Sequence, residues 1–256
     1  MSDLSWCVEY LAKQNGEDPR AFSSSEETFR ALQNVTMPFS LGDEFYERQD
    51  AVLQTILASK KVVSAGEIEP IEGKICLYQG DITLLAVDAI VNACNRRLLG
   101  CFAPGCHCVD NAIHSFAGLQ VRRDLMKVMK EQGHDEPNGK CKVTKGYNLP
   151  AKYVFHTVGP IYSGSEKDAE DLKSCYESCL RKANEMGLSS LAFCSLSTGV
   201  FGYPNEEAAA IAVGAVRAFL SSENRSLEKV VFCVFSERDR LAYQALLSPK
   251  ESFPAE

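Results

Sequence analysis

The sequence predicts a mixed α/β sheet covered by helices on both faces, preceded by a helical extension. Three observations carry that expectation. From Lys74 onward, short β-branched and aromatic runs alternate with longer segments of helical period. The runs at 75–78 and 89–93 are apolar, the second almost without interruption, as in buried strands. Residues 1–70 show apolar stripes at helical spacing instead.

Taken in order, Trp6, Val8, Tyr10 and Leu11 make a short amphipathic helix ending near Asn15-Gly16. Ser23-Ser24-Ser25-Glu26-Glu27 is a helix-start signal for 28–35, where Phe29, Leu32 and Gln33 share a face. Met37-Pro38 stops that helix. Phe45, Val52, Leu53, Ile56 and Leu57 form a third stripe. No titratable cluster stands out in this extension, so packing on the core is its expected task, with a lid or partner contact as the alternative. Strands are then expected at 75–78, 89–93, 140–147, 153–158, 190–196 and 230–235. Helices are expected at 109–130, 169–186, 206–220 and 238–247. The chain therefore divides into an extension, 1–70, and a sheet domain, 71–250.

Composition narrows the function. A formal charge of −7 argues against a protein that grips a nucleic-acid backbone by bulk charge. It leaves room for a small phosphate-bearing ligand, because backbone amides can make a local anion site. No apolar run approaches the roughly 18 residues that span a bilayer. The N-terminus lacks the basic start and apolar core of a signal peptide. Eleven cysteines is an odd number, and Cys76, Cys94, Cys175, Cys179, Cys194 and Cys233 sit inside apolar runs. Thiols used as small core residues indicate a reducing compartment, so the expected location is the cytoplasm, away from membranes. Oligomeric state is not written in the sequence; a monomer is the default.

The chemistry concentrates between Leu98 and Gly118. Cys101, Cys106, His107 and Cys108 fall within eight residues, a donor set suited to tetrahedral Zn²⁺. Phe102-Ala103-Pro104-Gly105 can turn the ligands inward. Asp110 follows at or near a helix start, where a carboxylate beside a metal serves to generate and orient hydroxide. A structural zinc knuckle or a plain Cys-rich loop is the other reading. Three more loops leave expected strands. In Gln79-Gly80-Asp81-Ile82-Thr83, Asp81 either caps the turn or accepts from the amine of a bound base. Asn92 and Asn95 offer amides to ribose hydroxyls or serve turn chemistry. Ser197-Thr198-Gly199-Val200-Phe201-Gly202 carries two glycines before a helix, which lets backbone approach an anion.

Together these stretches resemble the macrodomain family, which binds ADP-ribose. The resemblance lies in Gly80–Thr83, in Val87-Asp88-Ala89-Ile90-Val91-Asn92-Ala93-Cys94-Asn95, in the run from Gly146 to Pro160, and in Ser197–Pro204. It covers roughly residues 74–248, with four motifs in one order. The loop Gly100-Cys101-Phe102…Pro104…Cys108-Val109-Asp110-Asn111-Ala112-Ile113-His114 is similar to that of zinc-containing macrodomains, which are protein-ADP-ribose hydrolases. An N-terminal helical extension is usual there too. The chain departs from that subfamily at one ligand. The usual order is Cys, four residues, His, one residue, Cys; here Cys106 stands at the histidine's place and His107 one later. Either three thiolates (Cys101, Cys106, Cys108) or a shifted loop with His107 would hold the ion, and the register favours Cys106. A third thiolate quenches the metal's charge further and makes a poorer Lewis acid.

The resemblance implies a three-layer α/β/α macrodomain with one Zn²⁺ per chain in the loop 100–111. Asp81 and the Ile82 backbone would hold adenine. Ser197, Thr198, Gly199, Val200 and Phe201 would wrap the diphosphate, and Asn92 and Asn95 would line the distal ribose. Val109 and Asp110 would contact the same end, with Asp110 as base or water-orienter and Asn95 as its catalytic companion. His114 is expected as a structural side chain, while Phe201 and Tyr203 either cover the ribose or pack the core. The implied function is zinc-dependent removal of mono-ADP-ribose from modified protein side chains, chiefly Asp and Glu esters. The rivals are an ADP-ribose reader with structural zinc and an O-acetyl-ADP-ribose deacetylase.

Overall fold

A computed structural model describes residues 2–247. The expected domain end at residue 250 lies outside the described residues. Three helices open the chain: α1 (Asp3–Gln14), α2 (Glu26–Val35) and α3 (Asp43–Ala58). Ser2 and Ser25 cap the first two through their side chains, and Glu26 and Glu27 place negative charge on the first turn of α2. Their apolar stripes meet in a core of their own, with Phe29, Phe45, Leu11 and Leu53 at its centre and Leu119 from the sheet domain closing it. Each such side chain contributes about 1.5–3 kcal/mol when fully buried.

Next come β1 (Val63–Ser64), β2 (Pro70–Glu72), β3 (Ile75–Gln79), β4 (Leu85–Ala86) and β5 (Ala89–Ala93). The rest follows as α4 (Val109–Ala117), α5 (Leu119–Gln132), β6 (Cys141–Lys145), β7 (Tyr153–Thr157), α6 (Glu166–Glu185), β8 (Ser190–Phe193), α7 (Asn205–Ser222), β9 (Lys229–Val234) and α8 (Glu237–Leu247). Seven strands form one sheet in the order β2-β3-β9-β8-β5-β7-β6. The five inner strands run parallel and the two edges are antiparallel. The helices α6, α7 and α8 pack side by side, and α4 and α5 pack together, completing an α/β/α architecture. Ile90, Val91, Leu191, Phe193, Val231 and Phe232 are buried at the sheet's centre, which explains their unbroken apolar runs.

The expected helix 109–130 is in fact two helices. Gly118 separates them with φ 97°, and a side chain there would strike Gln120 and Gln49 at 2.6 and 2.7 Å. The strand expected over 190–196 ends at Phe193, because the chain must turn into the loop that follows. Strands β1, β2 and β4 lie outside the expected ones; they are two or three residues long, too short for a period to show. Cys76, Cys94, Cys175, Cys179, Cys194 and Cys233 are all buried as small core residues. Among the described residues no helix is long and apolar enough to cross a membrane.

Candidate functional site

Parallel strands deliver their following loops to one edge of the sheet. Across that edge stand Asp81 and Ile82 after β3, Ser197–Phe201 after β8, and Asn92 and Asn95 at the end of β5. With strands about 4.8 Å apart, the first and last lie roughly 14 Å from each other, with the glycine-containing loop between them. The edge therefore offers a carboxylate, an amide-rich loop and a polar cluster in a row.

Asn92 anchors the polar cluster. It is fully buried on β5, and its Nδ2 donates to Asp110 Oδ1 at 2.8 Å. Asp110 reaches it from the first turn of α4, a helix capped by Cys108 Sγ, which accepts from the Asn111 amide at 3.4 Å. Asp110 is 5% exposed. Burial pushes its pKa up to about 6, against the Asn92 hydrogen bond and the Arg122 cation, which both act to lower it. One turn along α4, His114 Nε2 approaches Asp110 Oδ1 to 3.4 Å. Burial, with Arg122 and His156 nearby, keeps that imidazole neutral, so the contact is polar rather than ionic. Beside Asn92, on the neighbouring strand β7, lies its register partner His156, whose Nε2 is 2.8 Å from Thr144 Oγ1. Burial drives the His156 pKa down to about 3.

The metal loop brings three of its four candidate ligands together. The sulfurs of Cys101, Cys106 and Cys108 all lie within 4.8 Å of one another; His107 is exposed and outside the group. A turn closed by the Cys106 amide on the Ala103 carbonyl, at 3.1 Å, swings Cys106 inward. Sulfurs sharing a tetrahedral zinc stand roughly 3.8 Å apart, so this cluster fits the ion with a small contraction. The backbone amide of Cys108 holds the Cys106 thiol below the ordinary thiol range, while burial raises Cys108 to about 12. One soft, easily ionised donor beside two others suits a thiophilic metal.

Side chains from elsewhere hold this loop. Arg30 on α2 donates to the Cys106 carbonyl at 3.0 Å and to Asn111 Oδ1 at 2.8 Å. Asn111 donates to Asn34 Oδ1 and to the Ala103 carbonyl at 2.8 and 3.2 Å. Arg122, 1% exposed, donates to the carbonyls of Leu99, Gln33 and Thr36 at 2.6–2.8 Å and lies 4.5 Å from the Phe102 ring. Sequence reasoning missed Arg30, Asn34, Arg122 and His156. Of these only Arg122 carried a signal, a charge set directly after the buried Leu119-Gln120-Val121 of a helix.

The loop after β8 is built from backbone. Among the described residues, the amides of Thr198, Gly199, Val200 and Phe201 donate to no backbone carbonyl. The loop is braced by Tyr203 N on the Ser197 carbonyl (3.0 Å) and Tyr162 N on the Phe201 carbonyl (2.9 Å). Ser197 has φ 63°, a conformation that costs a non-glycine residue about 1 kcal/mol or more, and its buried Oγ has no partner. Gly159 fits against that oxygen only because it lacks a Cβ. Free amides and an unpartnered hydroxyl fit an anion. Val200 is 95% exposed, whereas Tyr203 is buried against Tyr162 as a packing residue.

Two expected ligand residues also perform turn chemistry. Asp81 Oδ1 accepts from the Thr83 amide and hydroxyl at 2.9 and 2.6 Å. Asn95 accepts from the Arg97 amide and donates to the Gly100 carbonyl, both at 3.0 Å. Val109, half-buried, stands between Cys108 and Asp110 as the first residue of α4.

Comparison with known proteins shows the family. Residues 91–212 match the Macro domain family. A Treponema medium protein named protein-ADP-ribose hydrolase is 43% identical over 253 residues, covering 94% of this chain and 96% of that protein. A Staphylococcus aureus protein of the same name is 45% identical over 230 residues, 88% and 86% of the two chains. The crystal structure of a Trypanosoma brucei macrodomain in complex with ADP-ribose superposes with a TM-score of 0.67 at 32% identity, over 85% of this chain and 95% of that one. On the match, the fold and the loops along one sheet edge, the chain belongs to the Macro domain family.

Proposed function

We propose that this protein hydrolyses the bond between ADP-ribose and a modified protein side chain, with an ester to Asp or Glu as the favoured linkage. The observation that carries the reading is the buried Asp110 carboxylate, fixed by Asn92 and set two residues from the cysteine cluster, on the sheet edge that also carries the amide-rich loop. The names of the Treponema and Staphylococcus relatives support hydrolysis, and the ADP-ribose in the Trypanosoma structure supports the ligand.

In this reading Asp81 and Ile82 receive the base, and the amides of Thr198–Phe201 with Ser197 Oγ receive the diphosphate. The distal ribose then lies over Asn92, Asn95 and Val109. Binding the nucleotide portion fixes the anomeric carbon beside Asp110, which removes much of the entropic barrier. Asp110, ionised above about pH 6, accepts a proton as one water attacks that carbon. The C–O bond to the side chain breaks, and the carboxylate leaves with the electron pair. Free ADP-ribose, an intact acidic side chain and one proton result. Cys101, Cys106 and Cys108 would hold a zinc ion, which would supply Lewis acidity to this chemistry.

Asp110→Ala tests the assignment. ADP-ribose binding by calorimetry is expected to stay within a few-fold of wild type, and release from a mono-ADP-ribosylated protein to fall by about 10²–10⁴. Wild-type protein that binds ADP-ribose and releases none would make it a reader, the outcome that a third, charge-quenching thiolate favours. Release confined to O-acetyl-ADP-ribose would move the substrate to that ester.

A further inference from the structure

Arg30 stands where the extension meets the metal loop. Its Nη2 donates to the Cys106 carbonyl at 3.0 Å, and Nη2 and Nε both donate to Asn111 Oδ1, at 2.8 and 3.1 Å. Asn111 returns to the loop through the Ala103 carbonyl, so both ends of the turn that points Cys106 inward hang from α2. This bracket joins residues 76 and 81 positions apart in the chain.

Charge gives the bracket a second meaning. Two thiolates, one neutral imidazole and a divalent ion sum to zero. With Cys106 in the imidazole's place the sum is one negative charge, in a loop whose three cysteines are all half-buried. A partly desolvated net charge requires a fixed partner. Arg30 is the cation hydrogen-bonded to the very residue that creates the difference. The other guanidinium nearby, Arg122, is shared with the Asp110 carboxylate and spent on three carbonyls.

We infer that Arg30, supplied by the N-terminal extension, is the outer-sphere partner of a tri-thiolate metal site, offsetting the charge of Cys106 and holding its turn in the metal-binding shape. This rests on the reading of Cys101, Cys106 and Cys108 as ligands. It makes the extension part of the metal site, and Arg30 a positioning residue.

The test is zinc affinity of the full chain, measured by chelator competition, for wild type, Arg30→Met, Cys106→His and the double variant. Wild type is expected to hold one zinc, and Arg30→Met to weaken it by about 10- to 100-fold. In the Cys106→His background, where the extra charge is gone, the same substitution is expected to cost a clearly smaller factor. Circular dichroism and ADP-ribose calorimetry establish that each variant is folded; Arg30→Gln replaces the Met variant if that one is not. Equal losses in both backgrounds would reduce Arg30 to a mechanical clamp and overturn the charge assignment. Undiminished affinity in Arg30→Met would overturn the assignment altogether while leaving the metal reading intact. A wild type without zinc would sink both.

Discussion

The loop after β8 and the loop after β5 leave neighbouring strands of one sheet, yet they are held by opposite means. The first is self-contained. Its free amides, the left-handed Ser197 and the Tyr203 brace all lie within seven residues, with Gly159 and Tyr162 as its only named outside supports. The second is assembled from distance: Arg30 and Asn34 come from the extension and Arg122 from α5. Backbone amides are supplied wherever the chain turns, so an anion site can be made locally. A cluster of thiols and a carboxylate needs side chains fixed in three dimensions, and that takes support from other elements.

Substitutions should separate the two loops. Arg122→Ala removes the donor to three carbonyls in a buried position, and a loss of about 3–5 kcal/mol in denaturant unfolding is expected. The loss should be accompanied by weaker metal retention in whatever protein stays folded. Unchanged stability would mean that the extension and the loop are not joined through this side chain.

Acid should disturb the carboxylate end first. His156 is neutral in the fold, with its pKa near 3 against about 6.5 unfolded, so between those values the unfolded chain binds the extra proton. Stability is therefore complete above about pH 6.5 and declines as pH falls, by roughly 3 kcal/mol at pH 4 from this group alone. Asp110, raised to about 6, acts the other way between about pH 4 and 6, because there the folded chain binds the proton. Unfolding curves from pH 7 to 4 for wild type and His156→Gln test this; the variant should show the shallower decline, and parallel curves would refute the assignment.

Gly159→Ala strikes the other loop. The added methyl meets Ser197 Oγ, and the loop must shift at a cost of about 1–3 kcal/mol. ADP-ribose affinity is expected to fall about tenfold or more, with zinc content unchanged. If zinc were lost as well, the two loops would not be independent. Val200→Ala, at an almost fully exposed side chain, should change ADP-ribose affinity by less than about threefold, since the loop works through its amides.

The same division decides what could be read from the chain. Strand β5 was legible because Ala89-Ile90-Val91 is buried on both faces and says so in composition. The loop after β8 was legible as a candidate because its glycines and following helix are contiguous in sequence. The candidate ligands in the loop before α4 were legible for the same reason, and the register already favoured Cys106 over His107. What turns Cys106 inward, one hydrogen bond to Ala103 and the hold of Arg30, leaves no mark on local spacing. Arg30 and Arg122 were not legible as supports of the loop, because most of their partners lie 76–89 residues away. Gly118 could have divided the long helix on sight, since a glycine inside a helical pattern is a break signal.

The most direct measurement is release of ADP-ribose from a protein mono-ADP-ribosylated on acidic side chains, by the native chain, the chelator-stripped chain and the stripped chain with zinc restored. Release by the native chain that disappears on stripping and returns with zinc is the expected result, with ADP-ribose affinity nearly constant throughout. Full activity after complete stripping would contradict the metal's part and leave Asp110 to act alone; no release by the zinc-loaded chain would contradict hydrolysis itself.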